Sequence, residues 1–220
     1  MQHIINEYIE SDSWYDFARA VKEGHRHLYV SGATQLGKAL LLATARTQWK
    51  VPLLIVAPLA SHAERLRADL ERMLPGLDVA LFPAEEALLY GLTAQSPELL
   101  GQRLALLARL VSGERPAVVI TTWDALLVRL VPPSLFRAHC LNVSVGQTMR
   151  RDELVLRLIN SGYERVELVE TMGQCAVRGG IVDVFPLSGQ EPVRLEFFGD
   201  TVDSIRVYDL TTQRSQLNKA

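Results

Sequence analysis

The chain has 220 residues, of which 48% are hydrophobic and 22% are charged, a composition typical of a folded globular protein and not of a disordered one. Its 23 lysines and arginines nearly balance its 25 aspartates and glutamates, which argues against a domain that binds nucleic acid through a basic surface. Cys140 and Cys175 lie far apart, with no histidine or cysteine at metal-ligand spacing. We therefore expect reduced thiols and no metal site.

The amino-terminal residues carry early acidic side chains and no apolar run. They match neither a signal peptide nor a transmembrane segment, so we expect a cytoplasmic protein without membrane contact.

Helices and strands alternate over the first 130 residues. Apolar runs predict strands at 27–30, 51–57, 79–82 and 117–121, and helical periodicity predicts helices at 13–23, 38–49, 61–74 and 96–113. The last helix has Ser96 as its N-cap, Pro97 in its first turn and Glu98 near the positive end of its dipole. This alternation indicates an α/β domain with a parallel sheet covered by helices.

The pattern changes after Pro132 and Pro133. From about residue 140 we expect a strand, a helix over 151–161 and then several strands in close succession, three of them within 175–209. This order is typical of a small α+β domain with a mostly antiparallel sheet. We therefore predict two domains, residues 1–138 and 139–220.

The predicted strand at 193–198 (VRLEFF) carries an unusual aromatic residue. Its odd-numbered residues form an apolar face, whereas Arg194, Glu196 and Phe198 share the opposite face, because side chains alternate along a strand. Phe198 either folds back onto its own domain at the strand end or is covered by a partner, since arginine and aromatic residues dominate binding hot spots. The pattern leaves both alternatives open.

Residues 32–39 (GATQLGKA) nearly match the phosphate-binding pattern G-x-x-x-x-G-K-[ST], between a predicted strand and a predicted helix. Gly32, Gly37 and Lys38 fit the pattern, but Ala39 stands where a hydroxyl would hold Mg²⁺. No apolar strand ends in Asp-Glu, and no nucleophile and base occur in a recognisable catalytic arrangement. We expect a degenerate loop with no cofactor, no metal and no catalytic residue.

Five short stretches together resemble a known family. They are GYER at 162–165, AVRGGIVDVFP at 176–186, RLEFFGD at 194–200, DSIR at 203–206 and QRS at 213–215. These stretches are similar to the UvrB-like module, which occurs in the excision repair protein UvrB and at the N-terminus of bacterial transcription-repair coupling factors (Mfd). The resemblance covers nearly the whole chain and implies a RecA-like first domain followed by a domain that binds UvrA.

Two departures from UvrB favour the coupling-factor branch of the family. Ala39 interrupts the phosphate-binding loop, and in that branch this region lacks ATPase function. Residues 83–95 contain only one tyrosine, Tyr90, whereas UvrB has a tyrosine-rich hairpin that threads DNA at this place. We therefore expect no such hairpin.

The resemblance assigns the UvrA contacts to five residues of this chain, Arg165, Arg178, Arg194, Glu196 and Phe198. Ala176 stands where UvrB has a further arginine, so that contact is expected to be absent. We expect Arg178 and Arg194 to be close together, on neighbouring strands of one small sheet.

The function that the resemblance implies is that of a non-catalytic adaptor, which recruits UvrA to stalled transcription by mimicking the UvrA-binding surface of UvrB. The chain would be part of a longer translocase, whose remainder masks this surface and reaches RNA polymerase and DNA through other regions. The alternative is an ATP-dependent UvrB-type helicase module that recognises DNA damage.

Overall fold

The computed structural model describes residues 2–85, 96–189 and 191–215. Described residues up to 85 and from 114 to 129 form one compact unit, and those from 96 to 113 and from 130 onward form a second. Residues 86–95, which include Tyr90 and most of the segment expected to lack a hairpin, lie outside the described residues. In the described part of the chain, no helix is both long and apolar enough to span a membrane.

Helices and strands follow one another along the described chain. The helices are α1 (Gln2–Ile9), α2 (Asp12–Lys22), α3 (Gln35–Trp49), α4 (Ala60–Met73), α5 (Pro97–Val111), α6 (Trp123–Leu127), α7 (Pro133–His139) and α8 (Arg151–Asn160). The strands are β1 (Leu53–Ala57), β2 (Val79–Phe82), β3 (Val118–Thr122), β4 (Glu164–Arg165), β5 (Gln174–Arg178), β6 (Ile181–Val184), β7 (Val193–Phe198) and β8 (Thr201–Val207).

The first unit contains a parallel three-stranded sheet in the order β1-β3-β2, which confirms the predicted parallel sheet. β3 lies in the centre, so its residues Val118 and Ile120 are fully buried. They pack with Ala39 and Ala43 of α3 and with Leu70 of α4. Near-continuous apolar strands of this kind are typical of parallel sheets, because helices cover them.

The predicted strand at residues 27–30 is wrong, because this segment has no strand structure. Leu28 and Val30 are exposed, and Tyr29 is 93% exposed. A short apolar run does not make a strand unless another strand pairs with it, and none of the described strands does so here.

The second unit contains a five-stranded sheet in the order β4-β5-β6-β7-β8. β4 runs parallel to β5, and the other neighbours are antiparallel, which confirms a mostly antiparallel sheet. Among the described residues, four strands and not the three predicted follow residue 173, because a two-residue turn at Gly179-Gly180 connects β5 and β6 as a hairpin. The strand expected near residue 140 is also wrong, since residues 140–144 have irregular backbone.

Helix α8 covers one face of this sheet. Its buried residues Leu154, Val155 and Leu158 pack with Val182 and Leu195 of the sheet.

The compact units are not continuous in sequence, since α5 groups with the second unit. The domain limits 1–138 and 139–220 stay a prediction.

Gly101 lies in α5 where the helix passes close to the chain at Leu187. A Cβ atom at this position would lie 2.6 Å from the carbonyl oxygen of Leu187. Alanine normally stabilises a helix by about 1 kcal/mol relative to glycine. Here the backbone would have to shift, and overpacking of this kind costs about 1–3 kcal/mol.

We therefore expect Gly101→Ala to lower the free energy of unfolding, as measured by urea denaturation. Gln102→Ala, at the exposed neighbouring position, is the control and should stay within about 0.5 kcal/mol of the wild type. A Gly101→Ala protein that is as stable as the wild type would contradict the close approach of α5 to Leu187.

Candidate functional site

The face of the second sheet opposite the core carries polar side chains in register. The strand pairing places Ala176, Asp183, Arg194 and Arg206 in one row across β5, β6, β7 and β8. The adjacent row points to the core, where Leu195 is only 5% exposed. The predicted alternation of β7 into an apolar and a polar face is therefore confirmed. We call the polar side the Arg194 face.

A buried carboxylate lies at the centre of the Arg194 face. Asp183 is 1% exposed, and an ionised group at such a position requires partners. Arg194 supplies two parallel bonds, from Nε to Oδ1 at 2.6 Å and from Nη2 to Oδ2 at 2.9 Å. Arg178 adds a third bond, from Nη2 to Oδ2 at 3.1 Å. The pKa of Arg194 is raised, chiefly by its own hydrogen bonds to Asp183.

Arg178 and Arg194 are thus close together, as expected, because they bind one carboxylate. The expectation that they lie on neighbouring strands is wrong, since β6 runs between β5 and β7. Asp183 of β6 therefore connects the two arginines. Ala176, which faces Asp183 from β5, is fully buried and leaves room for this network.

The chain after β8 packs against the same arginines. The Arg194 guanidinium lies 4.8 Å from the ring centre of Tyr208, within cation–π distance. Arg194 Nη1 donates to the carbonyl oxygen of Gln213 at 3.1 Å, and Arg178 Nη2 donates to Gln213 Oε1 at 3.2 Å. The segment 208–215 is therefore held to the sheet by both arginines.

Glu196 and Phe198 lie farther along β7. Glu196 accepts a hydrogen bond from the hydroxyl of Ser204 at 2.9 Å, and its carboxylate is 3.7 Å from Arg206. Phe198 is 84% exposed at the end of the strand, before Gly199 with its φ of +61°. The described chain thus leaves the Phe198 ring uncovered, which contradicts the first of the two alternatives, that the ring folds back onto its own domain.

Arg165 does not join the other four predicted site residues. It is exposed on the edge strand β4, where its register partner is Cys175, whose side chain belongs to the core face. It lies near Asp152 of α8, whose pKa is lowered mainly by the hydrogen bond from Arg151 and also by the charge of Arg165. The structure thus places Arg178, Arg194, Glu196 and Phe198 on one face and Arg165 at the sheet edge.

Sequence reasoning missed three members of this network, Asp183, Tyr208 and Gln213. One signal was present, since Asp183 interrupts the apolar run IVDV at 181–184. An aspartate within a buried strand is almost always paired, so its position predicts an arginine partner on an adjacent strand. Nothing comparable in the local sequence indicates Gln213.

Within the segment 32–39, only residues 32–34 form a loop, because α3 begins at Gln35. Thr34 is the N-cap, and its hydroxyl oxygen accepts a hydrogen bond from the Gly37 N–H at 3.1 Å. Lys38 is exposed, whereas Ala39 is fully buried in the core of the first unit. Among the residues that the structure describes, no group of three or more histidine, cysteine or acidic side chains could hold a metal ion.

The raised pKa of the Tyr208 phenol makes the stability of the fold depend on pH in the alkaline range. Burial raises its pKa to about 12, with a further contribution from Asp183. An unfolded tyrosine titrates near pH 10. The unfolded chain therefore loses this proton first as pH rises, so the stability that Tyr208 contributes is complete below pH 10 and is lost between pH 10 and about 12.

We expect Tyr208→Phe to reduce this alkaline loss of stability while it retains the aromatic ring beneath Arg194. At pH 7 the variant should be as stable as the wild type or more stable, because the buried hydroxyl has no hydrogen-bond partner in the described structure. Urea denaturation at pH 7 and at several values above pH 9 measures both effects. Tyr29→Phe, at a 93% exposed tyrosine, is the control. Parallel loss of stability in Tyr208→Phe and the wild type would contradict the prediction.

Comparison with known proteins finds a family match over the second unit. Residues 141–219, which include the whole five-stranded sheet, match the UvrB interaction domain. The chain is 31% identical over 207 residues to the transcription-repair-coupling factor of Bacillus subtilis (strain 168), which covers 94% of this chain and 17% of that protein. It is 32% identical over 218 residues to that of Staphylococcus haemolyticus (strain JCSC1435), which covers 99% of this chain and 18% of that protein.

The chain thus spans less than a fifth of the length of these curated relatives. The similarity nevertheless extends over both units, and the residues of the Arg194 face lie within the matched domain. Residues 141–219 are therefore similar to the UvrB interaction domain, and the chain as a whole is similar to a segment of the bacterial transcription-repair-coupling factors.

Proposed function

We propose that this chain is a non-catalytic adaptor segment of a transcription-repair-coupling factor. It binds UvrA through the Arg194 face and thereby recruits UvrA to sites of stalled transcription in nucleotide excision repair. It does so by presenting to UvrA the surface that UvrB presents. The observation that carries the proposal is Phe198, an aromatic side chain that is 84% exposed beside a charged and ordered sheet face.

The Arg194 face has the physical properties of a docking surface. Arg194, Glu196 and Phe198 lie on β7, an interior strand of the sheet. A partner therefore meets a preformed surface, which loses little conformational entropy on binding. Phe198 would supply the apolar anchor that becomes dehydrated in the complex. The arginines around it would steer acidic groups of the partner and orient them.

The other four residues predicted to contact UvrA differ in exposure and in their position in the sheet. Arg178 and Glu196 are accessible at 50% and 32% exposure, whereas Arg194 is only 14% exposed. Arg165 would reach the same partner only at the rim of the interface, since it lies on the edge strand β4. The rim of an interface contributes less free energy than its centre.

The larger protein supplies the other parts of this function. Contacts with RNA polymerase and DNA would lie in regions outside this chain, and the remainder of that protein would mask the Arg194 face. Because UvrB would use the same surface of UvrA, we expect this chain and UvrB to compete for UvrA.

We expect Phe198→Ala to weaken binding to UvrA by about 30-fold, since loss of a hot-spot aromatic typically costs about 2 kcal/mol. Isothermal titration calorimetry with purified UvrA measures the change. The fold should be retained because the side chain is exposed. Leu156→Ala is a matched control, because Leu156 of α8 is 60% exposed in the same unit. Equal affinities of Phe198→Ala and the wild type would place the binding site elsewhere.

We also propose that the loop at residues 32–39 binds no nucleotide. Three features support this proposal: α3 begins at Gln35, Thr34 already occupies the Gly37 N–H, and Ala39 lies in the core. A bound phosphate needs free N–H groups at the start of the helix, and Mg²⁺ needs the missing hydroxyl.

Titration with a fluorescent ATP analogue in the presence of Mg²⁺ should accordingly give no binding. Ala39→Ser should not create binding either, because its hydroxyl would enter the packed core in place of a buried methyl group. Saturable binding that Lys38→Ala abolishes would favour the alternative, a UvrB-type ATP-dependent module.

A further inference from the structure

We infer that Arg178 is the residue of the Arg194 face that binds a carboxylate of the partner, and that this carboxylate displaces Gln213 from Arg178. Arg194 is a positioning residue, which is held by Asp183 and fixes the segment 208–215. This inference rests on the proposed function, in which the Arg194 face binds UvrA.

Arginines outnumber carboxylates on the Arg194 face. Three arginines, Arg178, Arg194 and Arg206, share two carboxylates, Asp183 and Glu196. Asp183 and Arg194 form a close bidentate pair, and Glu196 is the only carboxylate in the described structure within ion-pair distance of Arg206. The surplus positive charge of the face therefore lies at Arg178, because the carboxylate that it contacts, Asp183, is already neutralised by Arg194.

Arg178 is also more accessible to a partner than Arg194. Arg194 uses Nε, Nη1 and Nη2 in hydrogen bonds within the chain, and only 14% of its side chain is exposed. Arg178 is 50% exposed, and both of its hydrogen bonds in the described structure come from Nη2. A partner can therefore approach Arg178 without breaking the pair between Arg194 and Asp183.

Gln213 is a partner that Arg178 can exchange for a carboxylate. Its side-chain oxygen is a neutral acceptor 3.2 Å from Arg178 Nη2. A carboxylate forms a shorter and stronger charge-assisted bond with arginine, often through two oxygens. The Gln213 side chain is held independently by a bond from Nε2 to the carbonyl oxygen of Leu210 at 2.6 Å, so it can lose Arg178 and keep its place.

The geometry also defines the partner surface. Arg178 is in register with Ile181 and, across β6, with Glu196, and Phe198 lies two residues beyond Glu196. Standard strand spacings separate the Cα atoms of Arg178 and Phe198 by roughly 12 Å. The partner should therefore present an acidic side chain at about this distance from an apolar contact for Phe198.

The experiment introduces the competing carboxylate within the chain itself. Gln213→Glu keeps the size of the side chain and places a carboxylate next to Arg178, although the new carboxylate cannot donate to the carbonyl oxygen of Leu210. We expect it to lower the affinity for UvrA at least tenfold, measured by calorimetric titration. Urea denaturation should show a protein that still unfolds cooperatively, with a midpoint lowered only by the loss of the bond to Leu210. Gln102→Glu adds the same charge to an exposed position of α5 in the same unit and should bind like the wild type.

A double variant tests whether this effect passes through Arg178. We expect Arg178→Gln to lower the affinity at least tenfold and to make binding less sensitive to salt, because one charge pair with the partner is removed. Gln213→Glu should then cause no further loss in the Arg178→Gln background. A further tenfold loss in the double variant would overturn the inference.

Arg194→Lys tests the positioning role, because lysine keeps the charge but cannot form the bidentate bond. We expect its urea midpoint and its affinity to fall together. A lower affinity with an unchanged midpoint would overturn the positioning role.

The outcomes separate this inference from the proposed function. If Phe198→Ala loses affinity but Gln213→Glu and Arg178→Gln bind like the wild type, the proposed function stands and this inference is overturned. If the wild type does not bind UvrA, the proposed function and the inference built on it both fail.

Discussion

The carboxylate of Asp183 is the group on which the organisation of the Arg194 face depends. It lies in the central strand of a five-stranded sheet and is almost completely buried. A charge in this position destabilises the fold by several kcal/mol unless it is paired with good geometry. The bidentate bond from Arg194 satisfies this requirement, and in doing so it fixes the guanidinium above Tyr208 and next to the carbonyl oxygen of Gln213.

One consequence is that the buried pair of Asp183 and Arg194 holds the framework around the accessible Arg178 in place. Arg194 and Asp183 neutralise each other, and the segment 208–215 is ordered by bonds to both arginines. Arg178 and Phe198 stay exposed on this ordered framework. A surface with fixed charges and a protruding aromatic ring loses little entropy when a partner binds, which suits a docking function better than a catalytic one.

The first unit illustrates a different constraint. Its phosphate-loop pattern spans residues 32–39, but α3 already begins at Gln35 and is capped by Thr34. Ala39 contributes to the packing of the core with Ile5 and Ala43, so its small apolar side chain has a structural role here. The sequence thus carries Gly32, Gly37 and Lys38 of the pattern, while the local structure serves the packing of α3.

The sequence by itself determined those features that depend on neighbouring residues. The alternation along 193–198 correctly separated the buried Leu195 from the exposed Phe198, and Ser96 was correctly identified as the N-cap of α5. The family resemblance also came from the sequence, and the match of residues 141–219 confirms it. Local patterns suffice for such features because side-chain periodicity and helix capping act over a few residues.

Only the tertiary structure decided the features that require strand pairing. Residues 27–30 have the composition of a strand but no paired neighbour, so their apolar side chains are exposed. Arg178, Asp183 and Arg194 meet because β6 lies between β5 and β7, and Gln213 reaches them from beyond β8. Which charges neutralise each other, and which arginine stays accessible, depends on this register and not on spacing along the chain.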